Sequence, residues 1–232
     1  MDLVNPLADV VPSAHGPVLA VLASATTPLT GRAIAGLTHP RVSQPRVARI
    51  LHDLADAGLA TRVPAGSASL FSLNREHVAA GAVEALASLR DRLWERIATH
   101  VDGWNHEPDA VVVHGAAAGG AGDARGDVRL LVVRPSALDE DDEDWRRDLA
   151  DLADRVARWT GNRCAVLERS ADELRTMAAA GEQLLTEIGR DGRAVVGAIS
   201  LVPTSGRAGV AGQQGERRED SSHHSDVPVK IM

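Results

Sequence analysis

The sequence predicts an α/β protein in which two small domains are joined by a long helix, and three observations lead to this prediction. Residues 16–73 show three short helical segments followed by two β-prone runs. Residues 74–101 place apolar side chains at steps of three or four, which is typical of one amphipathic helix. Residues 109–167 contain three short apolar runs, two of which flank a glycine-rich loop, and this pattern favours a small mixed sheet.

The pattern divides the chain into five expected segments. Gly, Ser, Gln and charged residues dominate from Pro203 onward, so this tail is expected to be disordered. The expected segments are an N-terminal extension (1–15), a first domain (16–75), a linker helix (76–107), a second domain (108–202) and the tail (203–232).

The composition is compatible with two folded domains in a reducing compartment. The chain has 232 residues, of which 44% are hydrophobic, and can therefore bury two modest cores. Cys164 is the only cysteine, so neither an intramolecular disulfide nor a cysteine-based zinc site is expected. No apolar run approaches the ~18 residues of a membrane span, and the N-terminus does not read as a signal peptide. These features predict a cytoplasmic protein without membrane contact.

Two helices are predicted at the start of the first domain. The first covers GPVLAVLASAT, in which Val18, Leu19 and Leu22 recur at helical spacing. The second covers GRAIAGL, which follows Thr30 and ends before Pro40.

A third helix and a hairpin complete the first domain. Ser43 stands at the position of an N-cap, Pro45 lies in the first turn, and the helix is expected to end at Gly58. One face of this helix is apolar and consists of Val47, Ile50, Leu51 and Leu54. The runs LATRV and SLFSL flank the turn-rich PAGSA, which predicts a β-hairpin.

The linker helix is predicted from a long stripe of apolar residues. The stripe consists of Val78, Ala82, Leu86, Leu89, Leu93, Ile97 and Val101. A helix that bridges two domains and a helix that forms a dimer both fit this pattern, and the sequence does not separate them.

The second domain is expected to contain three strands and covering helices. The strands are predicted at AVVVHG, VRLLVV and CAVL. A helix preceded by the acidic run DEDDED is expected to cover one face of the sheet, because Trp145, Leu149, Leu152, Val156 and Trp159 form one stripe. Ser170 and Glu173 fit a capping box that opens a last helical region, which extends to about Arg190.

The stretch THPRVSQPRVARILHDLADAGLATRV resembles the recognition helix and wing of ArsR- or MarR-type winged-helix regulators, and the resemblance covers residues 16–73. It implies sequence-specific binding of double-stranded DNA by a homodimer. The helix pattern independently turns polar residues outward, and these are types that contact phosphates and base edges. The candidate DNA-binding residues are Arg41, Ser43, Gln44, Arg46, Arg49 and Arg62.

Charge and wing composition keep two interpretations open. The chain has a formal net charge of -7, whereas residues 17–73 contain five Arg against two Asp, which gives +3. The wing, however, carries Arg62 at its base and no basic residue at its tip. A winged helix reused for protein contact is therefore the alternative to DNA binding.

Residues 110–133, AVVVHGAAAGGAGDARGDVRLLVV, resemble the signature of DNA-polymerase-β-like minimal nucleotidyltransferases. Gly115 matches the glycine of that signature, Gly120 lies beside the place of its arginine, and Asp127 matches the first Asp of its pair. The resemblance implies a fold that positions a nucleoside triphosphate, and two carboxylates that chelate Mg²⁺.

Several positions depart from that signature. Ala116 and Gly126 replace serines, and Gly119 replaces the arginine. Arg129 stands in place of the second aspartate, where a guanidinium repels a metal ion. Glu168 is the one candidate for a third carboxylate, so Asp127 and Glu168 are interpreted as vestigial.

The combined interpretation is a DNA-binding transcriptional regulator with a catalytically inactive second domain and no cofactor. One alternative for the second domain is a nucleotide or anion pocket formed by Gly115, Gly120 and Arg129, with loop amides that cradle phosphates. A second alternative is a Mg²⁺-dependent nucleotidyltransferase that acts on a small molecule, RNA or protein. A third class, a protein-interaction adaptor, predicts neither activity.

Overall fold

The computed structural model describes residues 1–119 and 126–203. It confirms the α/β class, since helices and a small antiparallel sheet are followed by a mixed four-stranded sheet with helices on its faces. Among the residues described, no helix is both long and apolar enough to cross a membrane.

The N-terminal part is built from helices around a three-stranded antiparallel sheet of order β1-β3-β2. The predicted helices and hairpin are all present, whereas α1 and β1 are too short to produce a sequence pattern. The elements are α1 (Pro6–Val10), α2 (His15–Ser24), β1 (Leu29–Thr30), α3 (Gly31–Leu37), α4 (Gln44–Asp56), β2 (Ala60–Ala65) and β3 (Ala68–Leu73).

The predicted single linker helix is wrong, because the structure has two consecutive helices, α5 (Ala80–Ala87) and α6 (Leu89–Val101). Ser88 separates them, and its hydroxyl donates to the Ala85 carbonyl over 3.1 Å, a local bond that competes with regular helix. Val78, placed on the apolar stripe by the sequence, precedes α5 and is 97% exposed. Only the second half of the stripe behaves as predicted.

The C-terminal part is a four-stranded mixed sheet of order β6-β5-β4-β7, in which β5 and β6 are parallel and the other pairs are antiparallel. The fourth strand, β7, was not predicted. The elements are β4 (Ala110–His114), α7 (Ala116–Gly119), β5 (Val128–Arg134), α8 (Glu143–Thr160), β6 (Cys164–Ser170), α9 (Ala171–Ala179), α10 (Gln183–Asp191), β7 (Arg193–Gly197) and a 3₁₀ turn (Ile199–Leu201).

Helices cover both faces of this sheet. On one face, Val111, Val113 and Leu130 pack with residues of α6 and α8. On the other face, Val112 and Leu131 pack with residues of α9 and α10. The alternation follows from the period of two along a strand, and burial on both faces explains why residues 110–113 and 130–133 are all apolar.

Two helix starts in this part have side-chain caps, and the one at Ser170 was predicted from the sequence. Asp142, within the acidic run, accepts a hydrogen bond from the Trp145 amide over 2.9 Å at the start of α8. Ser170 and Glu173 form a complete capping box at the start of α9. The acidic run is thus a helix start, where negative charge meets the positive end of the helix dipole.

The first seven residues belong to both hydrophobic cores, which corrects the expectation of an N-terminal extension. Leu3 is 1% exposed and packs with the core of the mixed sheet, whereas Leu7 is 1% exposed and packs with the N-terminal helices. The Asn162 side-chain amide donates to the carbonyls of Met1 and Gly126, each over 3.0 Å. The segment therefore ties the two parts of the chain together.

Leu3→Ala is expected to lower the free energy of unfolding by about 2 to 5 kcal/mol, because it removes buried contacts and leaves a cavity. Val10→Ala is the control, since Val10 is 55% exposed and its truncation should cost little. Urea unfolding followed by circular dichroism measures both variants. Equal, small effects would show that the N-terminal segment does not stabilise the second core.

Candidate nucleic-acid interface and glycine-loop site

The turn between α3 and α4 is held by one buried threonine. Thr38 is 3% exposed, and its hydroxyl donates to the Ala35 carbonyl over 3.0 Å and accepts from the Val42 amide over 2.9 Å. The start of α3 is fixed in a similar way, because the Thr30 hydroxyl accepts from the Ala33 amide over 3.2 Å. These local bonds set how α4 leaves the turn.

Helix α4 separates a buried apolar face from an exposed polar face. Val47, Ile50, Leu51 and Leu54 are all buried in the N-terminal core. All six residues predicted to read DNA are exposed, and Arg62 lies on β2. The other five lie at the N-terminal half of α4 and in the turn before it: Arg41, Ser43, Gln44, Arg46 and Arg49. Ser43 is the N-cap residue but makes no side-chain capping bond.

A groove of about 410 Å³ separates α4 from the hairpin. Arg62, on β2, lines it and donates from Nε to the Ser69 hydroxyl over 3.0 Å. His52 lines it as well, with its Nδ1 2.7 Å from the Ala48 carbonyl oxygen. The groove also contains Arg32 and Gln44. The structure thus adds Arg32 and His52 to the candidate interface.

Sequence reasoning missed these two residues for different reasons. Arg32 counts in the local charge of +3, but its place beside α4 depends on how α3 packs. His52 follows Arg49 by three residues on the exposed side of α4, so helical spacing alone was sufficient to find it.

At the second candidate site, His114 and Arg129 are direct partners across the antiparallel pair β4 and β5. Gly115 follows with a φ of +73°, a conformation that favours glycine. A Cβ at Gly115 would lie 3.6 Å from Cδ of Arg129, so the arginine side chain lies over the first residue of the glycine loop. Arg129 is exposed, whereas the other residues of β5 are buried.

His114 is held in its neutral form at pH 7. Burial, together with the guanidinium of Arg129, lowers the pKa of His114 to about 4, although Glu187 acts in the opposite direction. His114 is 7% exposed. Arg129 therefore supplies the positive charge at this end of the strand pair.

Asp127 lies one residue before β5, next to one exposed arginine. Nη1 of Arg163 lies 4.0 Å from its carboxylate. Burial, assisted by the charge of Asp127, raises the pKa of the Cys164 thiol to about 12, so this cysteine is a thiol and not a nucleophilic thiolate at pH 7.

Glu168 does not lie beside Asp127, contrary to its proposed place as a third carboxylate. It pairs with Val132, five residues beyond Asp127 along the sheet and thus about 16 Å away at the usual rise of a strand. Its carboxylate instead binds Nε of the buried Arg134. The residue of β6 opposite Arg129 is Ala165.

The described ranges, 1–119 and 126–203, contain no group of three or more His, Cys, Asp or Glu side chains that could hold a metal ion. The site near Gly115 presents one exposed arginine, Arg129, which suits an anion better than a divalent cation. Gly120, the third residue proposed for this pocket, lies outside the described residues.

The low pKa of His114 predicts a pH dependence of stability. Below pH 6.5 a histidine in the unfolded chain binds a proton, while folded His114 stays neutral until about pH 4. The unfolded state thus gains protons first, and the free energy of unfolding falls by about 3 kcal/mol as the pH drops through this window. Urea unfolding of His114→Gln should show a correspondingly smaller decrease. If the free energy of unfolding falls equally with pH in the variant and in the wild type, His114 does not cause this pH dependence.

Comparisons with known proteins give distant similarities only. No protein-family model and no curated protein sequence matches the chain. A crystal structure of a toxin-antitoxin with AMP-PNP is similar at 15% identity over 46% of this chain and 75% of that chain, with a TM-score of 0.33. The structure of TrmBL2, an archaeal chromatin protein with a novel mode of DNA binding, is similar at 16% identity over 79% of this chain and 78% of that chain, with a TM-score of 0.26. Neither similarity is close enough to assign a family.

Proposed function

We propose that the protein is a cytoplasmic DNA-binding transcriptional regulator that reads double-stranded DNA through residues 16–75. The observation that carries the proposal is the exposed polar face of α4, where Ser43, Gln44, Arg46 and Arg49 project from a helix whose other face is buried. A helix of this kind inserts into the major groove, where such side chains reach base edges and phosphates.

The distribution of positive charge also supports DNA binding by the exposed polar face of α4. All five arginines of residues 17–73 are exposed, in a chain whose net charge is -7. Arg32 and Arg62 line the groove between α4 and the hairpin, so positive charge flanks the reading helix. Binding that depends on such contacts weakens with salt, because each neutralised phosphate releases counterions. Modules of this type bind paired half-sites, so we also propose a homodimer.

Replacing Arg46 and Arg49 together by alanine is expected to weaken binding to the DNA upstream of the protein's own gene. A single Arg46→Ala change should cost about 1 to 3 kcal/mol if this side chain contacts a base. Fluorescence anisotropy measures the affinity for upstream and scrambled DNA.

The control is the double variant Arg147→Ala, Arg175→Ala. Both residues are exposed on other helices, and their loss changes the net charge equally. Weak binding to every DNA, unchanged by either double variant, would rule out DNA reading by α4. A partner protein captured at high salt would then favour the adaptor alternative.

For the second domain, residues 108–202, we propose an inactive nucleotidyltransferase-like fold that binds a nucleotide or another anion. The specific observation is Arg129, whose exposed side chain lies over Gly115 where the glycine loop begins. A guanidinium at this place supplies the charge that a metal ion would otherwise supply to a triphosphate. The catalytic alternative lacks support, because Glu168 is bound to Arg134 and Ala165 stands opposite Arg129.

Isothermal titration calorimetry with ATP tests this second proposal, in EDTA and in Mg²⁺. We expect binding that does not require Mg²⁺ and that weakens at least tenfold in Arg129→Ala but not in the control Arg175→Ala. If no heat of binding is measured at millimolar ATP, the proposal that this domain binds a nucleotide is wrong. Mg²⁺-dependent nucleotide transfer that is lost in Asp127→Ala would instead establish the enzyme.

A further inference from the structure

The groove between α4 and the hairpin, with a volume of about 410 Å³, contains basic side chains that have no acidic partner. Arg32, His52 and Arg62 line it, and none of the other lining residues is Asp or Glu. Within the described part of the chain, neither arginine forms an ion pair. Arginines on other helices, such as Arg147 and Arg155, are paired with carboxylates instead. Basic groups without an internal counter-charge favour an anion from outside the chain.

His52 has one ring nitrogen bound to its own helix and one that is available. Its Nδ1 lies 2.7 Å from the Ala48 carbonyl oxygen, and because a carbonyl only accepts hydrogen bonds, Nδ1 carries a proton. The ring packs edge-to-face with Phe71, which also lines the groove, at a centroid distance of 6.2 Å. Nε2 forms no hydrogen bond with any residue that the structure describes. In the neutral ring Nε2 is therefore an acceptor, and only a second proton makes it a donor.

Charged groups from three elements surround His52. Arg32 from α3 and Arg62 from β2 line the same groove. The charged residues within one turn of His52 on α4 itself are Arg49, Asp53 and Asp56. An anion bound between the arginines would favour the protonated imidazole, because opposite charges at short distance stabilise each other. Binding of the anion is then coupled to the uptake of a proton by His52.

The position of the groove along α4 indicates which part of DNA it would meet. His52 lies eight residues beyond Gln44 and thus about 12 Å further along the helix axis. When the first turn of α4 contacts base edges, a side chain at this distance lies at the border of the major groove, which is about 12 Å wide. The sugar-phosphate backbone forms that border. The groove is therefore placed at a phosphate and not over the bases.

We propose that this groove holds one phosphate of the DNA backbone, which accepts hydrogen bonds from Arg32, Arg62 and Nε2 of protonated His52. This inference rests on the function proposed above, because it requires DNA to lie along α4. Guanidinium and imidazolium groups form charge-assisted hydrogen bonds with phosphate oxygens, and these are stronger than bonds between neutral groups. Histidine is the side chain that changes its charge between about pH 5 and pH 8. DNA binding is therefore expected to tighten as the pH falls.

Fluorescence anisotropy on the full-length protein tests the site through this pH dependence, with the upstream DNA and with scrambled DNA. From about pH 8 to about pH 6 we expect the wild-type affinity to rise about tenfold, because one charge-assisted hydrogen bond is gained. The rise should be similar for both DNAs, since a phosphate contact carries no sequence information. His52→Gln, which is neutral at either pH, should abolish the rise, and His52→Arg, which is charged at either pH, should bind tightly throughout.

His39→Gln is the matched control, because His39 is exposed in the turn before α4 and does not line this groove. It should keep the pH dependence of the wild type. A rise in affinity that persists in His52→Gln, or that is lost in His39→Gln, would overturn the proposed phosphate site. Both replaced side chains are exposed, and circular dichroism checks that each variant folds.

Two further outcomes separate the phosphate site from the function on which it rests. Wild-type binding to DNA that does not change with pH contradicts the phosphate site alone, whereas the absence of binding to any DNA contradicts DNA reading as well. Calorimetry with inorganic phosphate in place of DNA identifies the source of the anion. We expect no binding of inorganic phosphate at millimolar concentration. Binding that is lost in His52→Gln would assign the groove to a free anion and overturn the proposal.

Discussion

Burial of β4 and β5 on both faces is the constraint on which the arrangement of the second core and its polar residues depends. Residues 110–113 and 130–133 have no exposed surface, and helices pack on each side of them. Polar chemistry is therefore possible only where these strands end. One end places His114, Gly115 and Arg129 together, and the other holds the pair of Arg134 and Glu168. The carboxylate that was expected near the glycine loop serves at the opposite end as the partner of a buried arginine.

The N-terminal part shows the same division between a buried apolar face and exposed polar residues. The apolar face of α4 is fully used in the core, so the residues left outside are polar and mainly basic. The hairpin then bounds one side of the exposed face and contributes Arg62 to the groove beside it. A separate, mainly apolar groove of about 350 Å³ is lined by the N-terminal segment, α2 and the end of α3. The two grooves differ in chemistry because different elements form them.

The sequence was sufficient wherever local chemistry decides the structure. Helix α4, the capping residue Ser170, and the apolar faces of β4 and β5 follow from spacing and capping rules. It was insufficient where distant segments meet. The strand β7 depends on pairing with β4, and the burial of Leu3 depends on a core formed by residues far along the chain. The placement of Glu168 likewise depends on strand register and on a partner 34 residues away.

The double role of the first seven residues has a consequence for the order of folding. Leu7 packs with elements that are complete by residue 87, so the N-terminal core can close while the chain is still being synthesised. Leu3 belongs to a core that also needs α8, and its neighbour Met1 is bound by Asn162, 161 residues away. Residues 1–3 are thus buried only after the chain up to Asn162 has been synthesised, so the core of the mixed sheet closes later than the N-terminal core.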